Sequence, residues 1–585
     1  MNKNFEKIRR VDVLMFFILI SILIIIFRCF NLQYTEAKKY SSLISGIEIK
    51  EHIIKTSRGS IVDKNNIVLA ESILMDSLIV TNTNDFIENK DDIEKLCNIL
   101  NISCRNLLSK IENRKNKNFK YLKRYIHTDT TKEIKKLNLK GIGFIKEYQR
   151  YYPEGESISS LIGLLDFHHN GQSSLEKSFN KTLSGIDGKK KVMRDRQGKV
   201  VKEIKKIKKP IEGQKLSLTI DARLQYIAYR ELKKQINNVN AKSGSVVIMD
   251  TTNGGILAAA SYPAYDPSDR NTYTNAKERN RVIIDALEPA STIKPFVLAA
   301  ALYSKKVNLN DSFDTNPGYK VWGNKTYEDI KNFGELTSEG VIINSSNIGS
   351  IMILEKINKK IFYDLLEHVG FGEKINLNFP SEVEGYLPHH SEWRKSDVRS
   401  LAQGYRLKVT PLQLAKAYAA IANNGLVLNP KLIKSKNIQI YENTKYKKEF
   451  KQIKNVIKKV VQSGSAKKAA IQGYTVGGKT GTAKLYIGGK QKNKYSDKSH
   501  TALFAGITPL NNPKLSIVVV IDQPQSEIYF GGYLAAPVFK KIATDCLRIL
   551  NISPDNIVDY QKQVSQEVEN QNKLSLKNPE VNNVF

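Results

Sequence analysis

Glu288-Pro289-Ala290-Ser291-Thr292-Ile293-Lys294 sets a serine three residues ahead of a lysine, at the head of an apolar run. On a helix that spacing puts both side chains on one face, a turn apart. Apolar surroundings depress a lysine pKa, so the amine can take the serine proton and turn a weak hydroxyl into a nucleophile. Two further short pieces follow in order: Ser345-Ser346-Asn347, 54 residues on from Ser291, and Lys479-Thr480-Gly481-Thr482, 134 residues beyond that. Alone, each reads as a helix-start serine, an Asn/Ser-rich turn or a Lys-Thr-Gly-Thr turn. Together and in order they supply what acyl transfer needs: a nucleophile, a base, an oxyanion hole and a hold on a substrate carboxylate.

In that scheme Ser291 is the nucleophile and Lys294 its base. Ser345 passes a proton towards the leaving amine, and Asn347 holds a substrate amide. Lys479, on a strand, adds positive field that keeps Lys294 deprotonated and attracts a carboxylate. Thr480 and Thr482 supply hydroxyls, and Gly481 permits close backbone approach. Backbone N–H groups of Ser291 and Thr482 form the oxyanion hole. No Cys/His metal spacing occurs, and the scheme requires neither metal nor cofactor. The pairs His168-His169 and His389-His390 read as solvated loop histidines, and Trp393 as packing.

The 585 residues are too many for one core and imply two or three domains. A formal charge of +33 invites a nucleic-acid or membrane-surface reading. Lysine is spread through nearly every segment, however, which marks a compositional bias rather than a binding patch, and no nucleic-acid partner is expected. The densest run, Lys202 to Lys209, reads as a solvated face or linker beside Pro210. Cys97 and Cys104 could pair outside the cytoplasm, but the reading favours unpaired thiols here and at Cys29 and Cys546.

Lys3, Lys7, Arg9 and Arg10 precede Val13 to Phe27, an apolar stretch with Ser21 as its one polar member. This predicts an uncleaved, single-pass signal anchor over 11–30, with a cytoplasmic N-terminus at 1–10 and everything after the span outside. Residues 86–140 look helical and charged. From Glu212 the texture becomes α/β (α+β): a helix from Asp221 to about Ile236, and a hairpin of Ser245 to Met249 with Gly255 to Ser261. Further helices are predicted over Ala290 to Leu302, Pro411 to Ala422 and Pro537 to Leu550. Strands are predicted over Thr475 to Lys479, Ala502 to Ile507 and Leu515 to Ile521. Residues 551–585 read as a polar, disordered tail.

The chain resembles the class B penicillin-binding proteins, most closely the division-specific type, over nearly its whole length. Arg58-Gly59-Ser60-Ile61-Val62-Asp63, Arg150-Tyr151-Tyr152-Pro153 and Glu176-Lys177-Ser178-Phe179 resemble that family's pedestal motifs. Glu288 to Ser291, Val409-Thr410-Pro411-Leu412-Gln413-Leu414 and Gly478 to Ala483 resemble its transpeptidase blocks. The combination S-x-x-K, S-x-N and K-T-G is its signature. The resemblance implies a dimerisation-type pedestal over 31–210 and a transpeptidase domain over 211–550, with the serine β-lactamase-like antiparallel sheet flanked by helices. It also implies D-Ala-D-Ala stem peptides as substrate and β-lactams as acylating ligands. Implied partners are a membrane-embedded SEDS-type glycosyltransferase of the FtsW-like kind and other divisome proteins. Implied location is the inner membrane, with the catalytic domain in the periplasm.

Ser345-Ser346-Asn347 favours the division over the elongation type, which tends to carry Asp at the third place. No long glycosyltransferase domain precedes residue 210, which argues against a bifunctional enzyme. No Glu-x-x-x-Asn loop of the class A kind argues for a hydrolase, and the intact motifs argue against an idle scaffold. Three positions depart from the family pattern: Ala290, Arg406 and Gln523 stand where glycine, glycine and an acidic residue are common.

Overall fold

The computed structural model describes residues 10–37, 48–87, 90–112, 120–194, 200–435, 440–441, 445–486, 488 and 495–556. Lys3, Lys7 and Arg9, and residues 557–585 of the tail expected over 551–585, lie outside them. The first six residues of that stretch are described, and there Asp555 accepts from the Thr475 N–H at 2.6 Å and the Ile552 carbonyl from the Tyr474 hydroxyl at 2.6 Å. The chain forms two compact units: one of 1–58, 73–149 and 185–213, the other of 59–72, 150–184 and 214–585.

The first unit begins with the helix Arg10–Phe30, continued by a wider turn Asn31–Thr35. Asp12–Thr35 has a mean hydropathy of 2.9 over its most apolar stretch and runs 24 residues, so at ~1.5 Å per residue it can cross a hydrocarbon core of about 30 Å. The helical stretch thus runs past the expected end at residue 30. Strands Glu48–Ile54, Gly188–Arg194 and Val200–Lys208 form an antiparallel sheet. The Lys202–Lys209 run is therefore mostly strand rather than linker. Residues 86–140 hold the helices Lys90–Leu100, Cys104–Glu112 and Thr128–Lys136, but the strand Lys120–Ile126 interrupts them. Cys97 and Cys104 form a disulfide with Cα atoms 5.6 Å apart, against the expectation of free thiols. The helix Lys90–Leu100 ends just before Asn101, whose φ of 52° turns the chain back and brings the two cysteines together.

The second unit is built on a five-stranded antiparallel sheet in the order Ile256–Tyr262, Ser243–Asp250, Leu515–Asp522, Tyr495–Thr508, Gly477–Tyr486. Helices Ala222–Asn238 and Ala536–Ile549 cover one face, where Gly244 meets Leu232 and Ile236. The helix Pro411–Ala422 covers the other, where the Ser516 hydroxyl donates to the Ala415 carbonyl at 2.8 Å. All twelve residues of that central helix are buried, and its five alanines let sheet and helices approach closely. Thr410 and Gln413 close its first turn as a reciprocal capping box, and Pro411 sits at the helix start where its missing N–H costs nothing.

The pedestal-like motifs of this unit are structural. Arg150 Nε donates to Glu176 Oε1 at 2.8 Å in a buried pair. Asp63 accepts from the backbone N–H groups of Asn65, Ile67 and Ala222, fixing the entry to the helix Ala222–Asn238.

Candidate active site

The nucleophile segment departs from the predicted continuous helix. Ala290–Ile293 is a turn of 3₁₀ helix, and the α-helix proper is Lys294–Tyr303. Ala290 has a φ of 47°, a left-handed conformation that glycine adopts freely and alanine does not. It tightens the chain so that half-buried Ser291 lies just ahead of the helix and Lys294 becomes its first residue. The Tyr418 hydroxyl of the central helix donates to the Thr292 carbonyl at 2.9 Å, pinning this turn from below.

Lys294 is fully buried, and its Nζ donates to the Ser345 carbonyl at 2.7 Å and to Asn347 Oδ1 at 2.8 Å. Burial pulls its pKa down to about 7, opposed by the nearby Asp329 carboxylate. Lys479 is also fully buried. Its Nζ donates to Ser345 Oγ at 2.8 Å and to the Thr480 carbonyl at 3.1 Å. Burial, then repulsion from Lys294, holds Lys479 well below the usual lysine range. Two ammonium groups sharing one serine in a dry site cannot both stay charged at little cost. Burial is the first cause of the depression at both lysines.

Ser345 ends the helix Ser338–Asn344 with a φ of 63°, which turns its carbonyl to Lys294 and leaves its hydroxyl to Lys479. Ser346 caps the next helix, Asn347–Glu355, by accepting from Gly349 N–H at 2.9 Å. The strand Gly477–Tyr486 carrying the third motif is the edge of the sheet, so one side of its backbone faces away from its neighbour. A Cβ at Gly481 would stand 3.0 Å from the Pro289 carbonyl and 3.0 Å from Thr292 Cγ2, so glycine lets this strand lie against the nucleophile turn. Thr482 Oγ1 accepts from Gly531 N–H at 3.1 Å, and Thr480 Oγ1 lies 3.2 Å from Ser465 Oγ. The structure thus joins Lys294, Ser345, Asn347, Lys479 and Thr480 by hydrogen bonds and packs Gly481 onto the turn of Ser291.

Asp329 escaped the sequence reading. It follows a short hairpin, Tyr319–Trp322 with Lys325–Glu328, and its carboxylate accepts from Ser346 Oγ at 2.6 Å, from Asn347 N–H and from Ile348 N–H at 3.2 Å. It therefore caps the helix whose first residue is Asn347. Glu288 also escaped as a site residue. Its Oε1 accepts from Arg406 N–H at 2.9 Å and from the Tyr495 hydroxyl at 2.9 Å. Glu288 stood in a recognised block, but nothing local signalled its partners.

Among the described residues no cluster of three or more His, Cys, Asp or Glu side chains is arranged to hold a metal ion. What remains is an arrangement that can deprotonate a serine with a buried amine and relay protons through a second serine.

Comparison with known proteins agrees with that chemistry. The sequence model of the penicillin binding protein transpeptidase domain matches residues 244–544, and that of the penicillin-binding protein dimerisation domain matches 53–218. The chain is 37% identical to "Probable peptidoglycan D,D-transpeptidase PbpC" of Pseudomonas aeruginosa, covering 87% of this chain and 90% of the relative. It is 34% identical to "Peptidoglycan D,D-transpeptidase FtsI" of Buchnera aphidicola, over 95% of this chain and 96% of the relative. Among solved structures, penicillin binding protein 3 of Mycobacterium tuberculosis complexed with aztreonam shares the fold, with a TM-score of 0.65 at 24% identity over 86% of this chain and 98% of that one. With half the chain matched by the transpeptidase domain and such identities along nearly its whole length, the chain belongs to the penicillin-binding protein transpeptidase family.

Proposed function

We propose that this chain is a septal peptidoglycan D,D-transpeptidase that cross-links stem peptides through an acyl-enzyme on Ser291. The observation that carries the reading is the pair of buried lysines meeting on one serine, Lys294 at the Ser345 carbonyl and Lys479 at its hydroxyl. Neutral Lys294 takes the Ser291 proton as the serine oxygen attacks the carbonyl of the penultimate D-Ala. Backbone N–H groups of Ser291 and Thr482 stabilise the oxyanion. Ser345 delivers a proton to the leaving D-Ala amine and is re-supplied by Lys479. The amine of a neighbouring stem then attacks the acyl carbonyl, giving up a proton through Ser345 to Lys479, while Lys294 returns its proton to the Ser291 oxygen as the ester bond breaks. The substrate carboxylate, arriving at Lys479, Thr480 and Thr482, favours the charged form of Lys479 at the moment Lys294 must be neutral. Asn347 Oδ1 accepts from Lys294 and its Nδ2 donates to the Glu328 carbonyl at 2.8 Å, so it holds a substrate amide through the second lone pair and the second N–H that these bonds leave.

The apolar helix and the FtsI-type relatives fit a single-pass inner-membrane protein. Its proposed orientation is cytoplasmic at the N-terminus and periplasmic at the catalytic domain. On the same reading 31–210 serves as the pedestal and 211–550 as the transpeptidase domain. A SEDS-type glycosyltransferase and other divisome proteins are its partners. The division assignment rests on Ser345-Ser346-Asn347 and on the FtsI relatives. Labelling wild type and Ser291→Ala with a fluorescent penicillin tests the chemistry. Persistent labelling lost in the variant supports it; labelling that survives, or that turns over rapidly, refutes it. Depletion giving filaments supports division, and rounded cells point to elongation.

A further inference from the structure

The segment entering the nucleophile turn is fastened at three points to the chain around 404–409. Leu287 and Val409 exchange both backbone hydrogen bonds, at 3.0 and 2.9 Å, and Ala290 N–H donates to the Gly404 carbonyl at 3.1 Å. Glu288 adds a side-chain contact of another kind. Its Oε1 receives the Arg406 N–H and, from a distant part of the chain, the Tyr495 hydroxyl. Tyr495 is the first residue of the strand Tyr495–Thr508, which pairs with the edge strand carrying Lys479 to Thr482. The ring of Tyr495 stands edge-on to Tyr405, centroids 5.2 Å apart, and to Tyr486 at the end of that edge strand, 5.5 Å apart. Lys484 N–H on the edge strand reaches the Tyr405 hydroxyl at 3.4 Å. The Glu288 side chain lines a cavity of about 290 Å3 together with Lys408, Lys484 and Tyr486.

We infer that Glu288 is a positioning residue: through Tyr495 it latches the strand pair bearing Lys479 and Thr482 to the turn bearing Ser291. The latch sets the separation of nucleophile and oxyanion donor without touching substrate. This deepens the acyl-enzyme reading and rests on it. Both bonds end on one oxygen with two lone pairs, so a neutral amide can replace the carboxylate. Burial also pushes the Glu288 pKa up, so the site tolerates an uncharged side chain there. Acylation is sensitive to displacements of this scale, because misplacing a reacting group by about 1 Å can cost ~100-fold in rate.

The test is stopped-flow acylation by benzylpenicillin on the full chain, resolving the acylation rate constant from the preceding dissociation constant, with melting temperatures recorded in parallel. Glu288→Ala should slow the acylation step at least about tenfold with the dissociation constant within about twofold. Glu288→Gln should restore at least about half of the wild-type rate. Tyr495→Phe should slow the step about threefold to tenfold without lowering the melting temperature appreciably. The double variant Glu288→Ala/Tyr495→Phe should be no slower than Glu288→Ala alone, since both break one latch. Wild-type acylation in Glu288→Ala, no rescue by Gln, effects that multiply, or a loss confined to the dissociation constant would each overturn the assignment. If Glu288→Ala does not fold, Tyr495→Phe acylating at the wild-type rate overturns it. Ser291→Ala run beside them separates the two readings: residual acylation there refutes the nucleophile, whatever the latch variants do.

Discussion

Lys294 Nζ donates to Asn347 Oδ1 at 2.8 Å, so the amine assigned as base is held by a neutral amide rather than by a carboxylate. The nearby carboxylate, Asp329, spends its oxygens on Ser346 and on backbone N–H groups. Burial therefore prevails and leaves Lys294 at about 7.

The pH dependence of acylation follows from that balance. A base works deprotonated, and a lysine brought down to about 7 is largely neutral above that pH and charged below it. The acylation rate constant should rise with pH through about 7 and level off above it. Replacing the amide by an acid, Asn347→Asp, puts a negative charge on Lys294 and stabilises its protonated form. The rising limb should then move to higher pH by about 1 to 3 units, so that the variant is slow at neutral pH and recovers in alkaline buffer. Stopped-flow acylation across pH 6 to about 10 measures both curves.

Asp329→Ala removes the carboxylate that caps the helix of Asn347 and that pulls the Lys294 pKa upward. Losing such a cap costs about 0.5–2 kcal/mol in stability, read from urea unfolding. The effect on the pH profile is opposite in sign to that of Asn347→Asp. With the carboxylate gone the Lys294 pKa falls further, and the rising limb moves to lower pH. A downward shift with a lower plateau separates loss of charge from simple loss of the helix end.

Two nearby left-handed positions should respond very differently to substitution. Gly404 has a φ of 82°, and a Cβ there would lie 2.0 Å from the Ala290 carbonyl oxygen. Gly404→Ala should be strongly destabilising and slow acylation, because the displaced atom belongs to the residue before Ser291. Arg406 has a φ of 65° and an exposed guanidinium that pairs with Asp397 at 3.0 Å. Arg406→Gly relieves the left-handed strain while giving up a surface ion pair worth at most about 1 kcal/mol and stiffening of the unfolded chain. Its stability should stay within about 1 kcal/mol of wild type, with acylation unchanged. Thermal unfolding and penicillin labelling read both variants.

Ala290, Arg406 and Gln523, the three departures from the family pattern, all occupy left-handed backbone, with φ of 47°, 65° and 49°. The sequence showed where glycine or an acidic residue was missing, but not that all three positions take a positive φ. Local pattern was enough for the central helix Pro411–Ala422, whose cap, proline and alanine run are contiguous, and for the hairpin of Ser243–Asp250 with Ile256–Tyr262. It failed where the signal was spread along the chain. Asp329 lies 18 residues before Asn347, its backbone partner, and Tyr495 lies 207 residues after Glu288. The strand Val200–Lys208 hid its alternation because register shifts interrupt its pairing with Gly188–Arg194 and lysines occupy both faces. The disulfide needed the fold of the turn at Asn101, which seven residues of spacing did not reveal.

Gly481 offers the sharpest steric test of how the third motif meets the first. Its strand packs on the nucleophile turn so closely that a methyl group would meet the Pro289 carbonyl and Thr292 Cγ2, each at 3.0 Å, with Leu503 Cβ at 3.4 Å behind it. The backbone of Gly481 is not left-handed, so Gly481→Ala introduces crowding without dihedral strain. Relief requires the edge strand to move away from Ser291 by a few tenths of an ångström, and the Thr482 N–H assigned to the oxyanion hole moves with it. Oxyanion donors act over a narrow range of distance, and losing one costs ~100- to 1,000-fold in rate. A partial displacement should therefore slow acylation by at least about tenfold. Overpacking of this kind costs about 1–3 kcal/mol in stability, so the protein should still fold. Thermal unfolding confirms the fold, and the acylation rate constant reads the displacement. A variant that acylates as fast as wild type would show that the strand and the turn do not share the donor geometry assigned to them.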